Sequence, residues 1–489
     1  MKRIKFDFNS MFDHSIGRKH GVSSHDMAAI KAPSAAAVKH LREIASDKDK
    51  RVRLGLEWMA LPYQGKEDIA RIASIGDMVA KKYKNVISLG IGGSYLGLKA
   101  AQDALRTPYY NDFSKARRGR PRFYFDGNNL DPETMHALLS NLDPRETFVT
   151  VISKSGETTE TKAAFAVIEA WLIKSVGKHY GRQIFVITDP ESGTLRKKVM
   201  RERSMDQEAF HSLPVMKGVG GRFSELNIGL LHMAIVGIDI QEVLDGAKDM
   251  SGRCLKVKLS ENPALMYASL HTVLHRKKGK GIAVMMPFSE LLSSTADWYV
   301  QLLAESLGKK YSRKVTRDKG GERWQADRGK VVNAGRTPIP SRGTNDLHSI
   351  QQNNIEGPND KVTTFIKVEE MENDIRVAGT GDILSGKSYS SLLSLAREAT
   401  EWALSMESRP SCTITLPRLS PFYWGGLIYF FEMATALEGE LINVNAFDQP
   451  GVESYKNYLY YKLGKGGIPP EIINEIRDNP LKKDGKFIM

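Results

Sequence analysis

From Asn85 onward, short apolar runs alternate with helix-like stretches. Val86–Ile91 precedes a helical pattern over Tyr95–Leu105, and Arg122–Asp126 precedes Pro132–Leu142. Thr147–Ile152 precedes Thr159–Ile173, and Gln183–Thr188 precedes Gly193–Arg201. Runs this short, rich in β-branched residues and apolar throughout, predict strands buried on both faces. Strands that alternate with helices predict a parallel sheet covered on both sides. The alternation resumes with a helix from Pro263 to about Arg276 and a strand at Gly281–Met286. Then come a helix over Leu291–Leu307, a strand at Thr363–Val368 and a helix over Leu392–Leu404. A strand at Cys412–Leu416 and a helix over Tyr423–Leu437 complete the pattern.

The fold class read from this pattern is α/β, with two doubly wound parallel sheets. The predicted organisation is a helical N-terminal segment at 1–84 and a first α/β domain at 85–238. A charged helical linker at 239–260, a second α/β domain at 261–445 and a helical C-terminal arm at 446–489 follow.

Composition narrows the function classes. With 489 residues, 41% hydrophobic and 26% charged, the chain has the makeup of a folded globular protein. Its two cysteines, Cys254 and Cys412, argue against a disulfide framework or a Cys-rich zinc site. The stretch MKRIKFDFNS has no apolar signal region, and no run approaches the ~18 apolar residues of a membrane span, so a cytosolic protein is expected. The formal net charge of +13 points to an anionic partner. By itself it leaves nucleic acid, a membrane surface and phosphorylated small molecules open.

Six segments carry candidate chemistry. Gly90–Gly97 (GIGGSYLG) joins a predicted strand to a predicted helix, with Gly93 and Ser94 at its centre. Glycines there admit a ligand to the backbone, and the helix N-terminus favours an anion. Tyr95 stands where a G-x-G-x-x-G dinucleotide fingerprint needs its third glycine, which disfavours that reading. A tight turn that needs glycine for geometry alone is the alternative. Ser153–Glu160 (SKSGETTE) sets Ser153, Lys154, Ser155 and Thr158 before a helix, which suits a phosphate monoester. Such residues also cap helices without a ligand.

Gly220–Ser224 (GGRFS) holds Arg222 beside Gly221, where a guanidinium can meet a substrate anion or a developing oxyanion. An ordinary surface loop is the alternative. Gln301–Lys309 (QLLAESLGK) sets Glu305 among apolar neighbours, a setting for a general base, although a solvated helical Glu is commoner. Gly343–His348 (GTNDLH) and Gln449–Lys456 (QPGVESYK) each offer one acid–base group, His348 and Lys456.

Other signals compete. Gly381–Ser388 (GDILSGKS) satisfies G-x-x-x-x-G-K-[ST] after a possible strand at Ile375–Ala378, but it comes late in the chain. The next predicted strand ends in Pro417 and Arg418, where a nucleotide site needs a magnesium-binding acid. His271 and His275 have a metal-pair spacing without a third ligand, so a structural role is favoured. Basic clusters at Arg106–Arg122, Arg276–Lys280 and Lys309–Lys319 read as solvated faces.

In this order, the six segments resemble the glucose-6-phosphate isomerase (phosphoglucose isomerase) family. Leu307 departs from the pattern, where many members have Asn. The resemblance implies two sugar-isomerase (SIS-type) domains, a homodimer with sites near the subunit interface, and a cytoplasmic location. It implies interconversion of glucose 6-phosphate and fructose 6-phosphate with no metal and no organic cofactor, and no nucleic-acid or membrane partner. By the same resemblance, His348 and Lys456 open the sugar ring, Glu305 shuttles a proton and Arg222 stabilises an enediolate. Gly93, Ser94, Ser153, Lys154, Ser155, Thr158, Gly221, Gln301 and Gln449 contact the substrate. Three competing readings are a catalytically silent sugar-phosphate-binding module, an isomerase that also takes mannose 6-phosphate, and an NTP- or nucleic-acid-binding protein.

Overall fold

The computed structural model describes residues 2–379 and 381–489. Helices of eight or more residues are numbered here. The chain begins with β1 (Lys5–Asp7), α1 (Ser24–Ala45) and α2 (Lys66–Lys82). Next come β2 (Asn85–Leu89), α3 (Leu96–Leu105), β3 (Arg122–Asp126), α4 (Pro132–Asn141) and β4 (Thr147–Ile152). They are followed by α5 (Thr159–Val176), β5 (Ile184–Thr188), α6 (Thr194–Met205), β6 (His211–Pro214) and α7 (Glu225–Ile235). After α8 (Ile240–Cys254) and α9 (Pro263–Lys278) come β7 (Ile282–Pro287), α10 (Ser293–Leu307), β8 (Lys309–Asp318), β9 (Gly321–Ala334) and β10 (Thr337–Pro340). Then come β11 (Lys361–Glu370), α11 (Tyr389–Met406), β12 (Ser411–Arg418), α12 (Pro421–Ile442), α13 (Glu453–Lys462) and α14 (Pro470–Asp478).

One five-stranded sheet has the order β3-β2-β4-β5-β6, and all its pairs are parallel. The other has the order β1-β12-β11-β7-β10 and is parallel except for β1, which runs antiparallel to β12. Every residue of β2, β4 and β5 is buried, as strands sandwiched between helices require. In both sheets the first parallel strand, β2 or β7, lies between the second and the third. The chain reverses direction across the sheet at that point. The reversal opens a crevice at the carboxyl ends of the strands, where α/β proteins bind ligands. The fold class is therefore α/β with two doubly wound parallel sheets.

The chain forms two compact bodies, one up to Ala446 and the other from Phe447 to Met489. The first holds both sheets and an antiparallel β8–β9 hairpin. The second holds α13 and α14. No helix among the described residues is long and apolar enough to cross a membrane.

Several elements depart from the sequence pattern. Residues 1–84 read as helical, yet β1 adds an edge strand to the second sheet. Three residues carry no periodicity, and the edge of β12 supplies the pairing. Lys309–Lys319 reads as a solvated basic face but contains the whole of β8. Its stability comes from pairing with β9 and from the Arg313–Glu440 ion pair, neither of which is a local pattern. The charged stretch at 239–260 contains α8, whose Ile240, Val243, Leu244, Ala247, Met250 and Cys254 are buried. This helix packs directly on α12: a Cβ on Gly246 would stand 1.7 Å from the carbonyl oxygen of Phe422.

The segment read as a strand at Ile375–Ala378 forms only an isolated bridge, Arg376 to Ser388. Strand β11 has already ended at Glu370, and Gly381–Lys387 is an exposed turn that runs into the Ser388 N-cap of α11. A phosphate-binding P-loop joins a sheet strand directly to a helix, and this segment does not.

Candidate active site

Helices α3 and α10 each follow the first parallel strand of their sheet, and they pack on one another. Their packing brings the Gly92–Ser94 turn, at the end of β2, against the Gly221–Phe223 turn and one face of α10. A Cβ on Gly93 would stand 1.8 Å from the Gly221 carbonyl oxygen, so this crossing is backbone on backbone. Gly92 has φ of 59°, and a Cβ there would lie 2.9 Å from Gln301 Nε2. Both requirements explain glycine at this turn, in addition to any ligand.

Arg222 is buried with a side chain only 4% exposed, and it is fully engaged. Its Nε donates to Ser306 Oγ at 3.0 Å, one Nη to Glu305 Oε2 at 3.0 Å, and the other to the Ala446 carbonyl at 2.9 Å. Gln301, one turn before Glu305 on the same face of α10, donates to Glu305 Oε1 at 3.2 Å. Lys309 donates to the Glu305 backbone carbonyl. The carboxylate is thus steadied on both oxygens while remaining partly exposed, as a group that must reach a ligand does. Ser306 and the Ala446 carbonyl are partners of Arg222 that the sequence motifs do not single out. Ser306 lay inside the QLLAES motif, whereas a backbone carbonyl leaves no trace in sequence. Leu307 is fully buried and lies about 200° around the helix from Glu305, against Gly439. Its departure from the family pattern therefore falls in the core.

The Ser153–Thr158 loop leaves the carboxyl end of β4, the strand beside β2. Ser153 Oγ accepts from the Gly156 N–H at 3.0 Å, and Ser155 Oγ accepts from the Glu157 N–H at 3.1 Å. The Lys154 and Ser155 carbonyls accept from the Asp189 and Thr194 N–H groups at 3.1 and 3.0 Å. The Glu191 and Ser192 N–H groups hold the Asp189 carboxyl below its usual range and fold that supporting turn. Thr158 occupies the N-cap of α5 but makes no side-chain capping bond. Helix capping therefore does not account for its hydroxyl. Lys154 and Ser155 are exposed.

His348 lies in the Asn345–His348 turn after β10, exposed, with no side-chain hydrogen bond among the described residues. That loop is organised by Asp346, which accepts from the Arg342 N–H at 2.7 Å and from Asn345 Nδ2 at 2.9 Å. No bond links His348 to the Arg222–Glu305 group among the described residues. Lys456 and Gln449 belong to the second body. Lys456, on α13, pairs with Glu453 at 3.0 Å. Burial alone would lower the Lys456 ammonium, but the bond and charge of Glu453 outweigh it and the net shift is upward. Gln449 opens the Pro450–Val452 turn. His271 is buried in the core, 3.2 Å from an Arg336 guanidinium nitrogen, and burial holds it neutral.

A carboxylate held by an arginine where the Gly92–Ser94 and Gly221–Phe223 turns cross, beside a hydroxyl-lined loop, is an arrangement able to carry acid–base chemistry on a small anion. A family model for phosphoglucose isomerase matches residues 66–462. The chain is 38% identical to the glucose-6-phosphate isomerase of Carboxydothermus hydrogenoformans, over 99% of each chain. It is 32% identical to that of Acetivibrio thermocellus, over 96% of this chain and 97% of the other. A crystal structure of a hypothetical protein from Thermus thermophilus matches with a TM-score of 0.79 at 31% identity, covering 95% of this chain and 100% of that one. The glucose-6-phosphate isomerase structure from Chlamydia trachomatis shares the fold, with a TM-score of 0.72 at 23% identity and coverage of 94% and 90%. The chain belongs to the phosphoglucose isomerase family, enzymes that interconvert glucose 6-phosphate and fructose 6-phosphate in glycolysis and gluconeogenesis.

Proposed function

We propose that this chain carries out the family reaction with Glu305 as the base that moves a proton between C2 and C1. The observation that carries the reading is the 3.0 Å bond from Arg222 to Glu305 Oε2, at the crossing of the Gly93 and Gly221 turns. From aldose to ketose, His348 and Lys456 assist ring opening, one protonating the ring oxygen and the other taking the hydroxyl proton. Glu305 then takes the C2 proton, and the electron pair forms the C1–C2 double bond of a cis-enediolate. The proton returns to C1, the O2 proton passes to O1, and the C2 carbonyl of the ketose remains. Arg222 offsets the negative charge of the intermediate.

Ser94, Ser153, Lys154, Ser155 and Thr158 hold the phosphate, with Gly93 and Gly221 shaping the backbone beside it. Gln301 and Gln449 take sugar hydroxyls. Binding energy spent at the phosphate orients the reacting carbons. The working form is a cytoplasmic homodimer with its domains at 85–238 and 261–445, using no metal or organic cofactor.

The test supplies fructose 6-phosphate with EDTA present and follows glucose 6-phosphate through a coupled dehydrogenase. Glu305→Gln should lower kcat by about 10²–10⁴-fold while leaving KM within a few-fold. Near wild-type turnover by that variant overturns the assignment.

A further inference from the structure

Glu225 follows Arg222 by three residues, in the first turn of α7, and is fully buried. Its Oε1 accepts the Trp298 indole N–H at 2.8 Å, which ties α7 to α10. Its stem rests on α3, where only glycine fits, because a Cβ on Gly97 would stand 2.1 Å from Glu225 Cγ. The last glycine of GIGGSYLG therefore serves this contact. Glu225 Oε2 is buried with no hydrogen-bond donor among the described residues. The buried carboxyl of Glu432, on α12, lies within hydrogen-bonding reach. Two carboxylates in one dry site do not both ionise, and a single proton between them gives Oε2 its donor. Burial moves both groups upward, and the neighbouring acid adds to the shift of Glu432. The other groups at the pair are the backbone N–H groups of Ser224 and Glu225, which favour the charged form, the Trp298 indole on α10, and Tyr429 on α12, a phenol raised by burial and so neutral.

Trp298, Gln301 and Glu305 stand at i, i+3 and i+7, along one stripe of α10. Fixing Trp298 fixes the rotation of the helix. Side-chain tips lie about 5–6 Å from a helix axis, so a turn of about 10° moves the Glu305 carboxylate about 1 Å. Displacements of that size cost catalysis about 10²-fold. We propose that Glu225, sharing a proton with Glu432, is a positioning residue that sets the rotation of α10 and so the aim of Glu305. This rests on Glu305 being the proton-transferring base.

Three variants of the full-length enzyme test it, with thermal midpoint and folded fraction measured beside the kinetics. Trp298→Phe keeps a ring but removes the donor, and kcat should fall about tenfold or more with KM within about twofold. Glu225→Leu should do the same. Glu225→Gln keeps the acceptor for Trp298 and offers an N–H to Glu432, so it should retain kcat within about threefold. Because its amide cannot ionise, the alkaline fall of kcat should also move up by about one pH unit or more. If Glu225→Leu does not fold, Trp298→Phe and Glu225→Gln decide the matter. Wild-type kcat in Trp298→Phe, or an unmoved alkaline limb in Glu225→Gln, overturns the proposal. Glu305→Gln is assayed in parallel. Its retention of turnover sinks the base assignment itself, whereas its inactivity beside a fully active Trp298→Phe sinks only the positioning role.

Discussion

Gly93 and Gly221 meet backbone to backbone, close enough that a Cβ on Gly93 would stand 1.8 Å from the Gly221 carbonyl oxygen. The reverse is not true: a Cβ on Gly221 points into open space. Gly93→Ala must therefore push the two turns apart and carry Arg222 away from Glu305. Its kcat should fall about 10²-fold. Gly221→Ala should change stability by less than about 0.5 kcal/mol and show its effect, if Gly221 lines the substrate, in KM. Steady-state kinetics and thermal unfolding of the two variants check the asymmetry.

The Thr158 hydroxyl caps no helix, and Ser153 is held in the same loop. Ser153→Ala with Thr158→Ala should weaken a phosphorylated competitive inhibitor about 10–100-fold, the loss of hydrogen bonds to a charged group. The double variant should leave affinity for a non-phosphorylated sugar alcohol unchanged. Unaltered affinity for the phosphorylated inhibitor, measured by titration calorimetry, counts against this loop as the phosphate site.

His40 bridges two carboxylates, Glu440 at 2.8 Å and Glu322 at 3.0 Å, and so ties α1 to α12 and to the β8–β9 hairpin. The Glu440 hydrogen bond raises its pKa above the usual 6.5, against an opposing effect of burial. A raised value means the folded state binds the proton more tightly than the unfolded chain. This stability is complete below the usual value and is lost as pH rises through the folded one. Wild-type denaturation midpoints should therefore drop between pH 6 and the alkaline side more than those of His40→Gln. At pH 6, His40→Gln should be about 1.5–3 kcal/mol less stable. Parallel pH slopes for the two proteins would disprove the linkage.

Lys387, the lysine of the Walker-like GDILSGKS, lies in an exposed turn separated from β11. Lys387→Ala should leave kcat and KM within about twofold of wild type, as surface changes do. ATP should neither be hydrolysed nor shift the melting temperature. A Lys387-dependent thermal shift with ATP would restore a nucleotide site.

The parallel-sheet core is legible in the chain, because β2, β4 and β5 are buried along their whole length and are dominated by apolar and β-branched residues. The sequence also carried the site motifs, since glycines and hydroxyls at strand ends obey local geometric needs. The remaining features come from long-range contacts. Strand β1 forms only where β12 exposes an edge, and the β8–β9 hairpin is pinned by Arg313 and Glu440 far apart in the chain. The charge of α8 hid a buried face, because helix–helix contact at Gly246 and Gly425 depends on what is absent from those residues. Six motifs in order named the family, but the bonds among Arg222, Ser306 and Glu305, and the Glu225–Glu432 pair beside them, were decided only by folding. Residues more than 80 positions apart meet there, and no local pattern encodes which buried acid will face another.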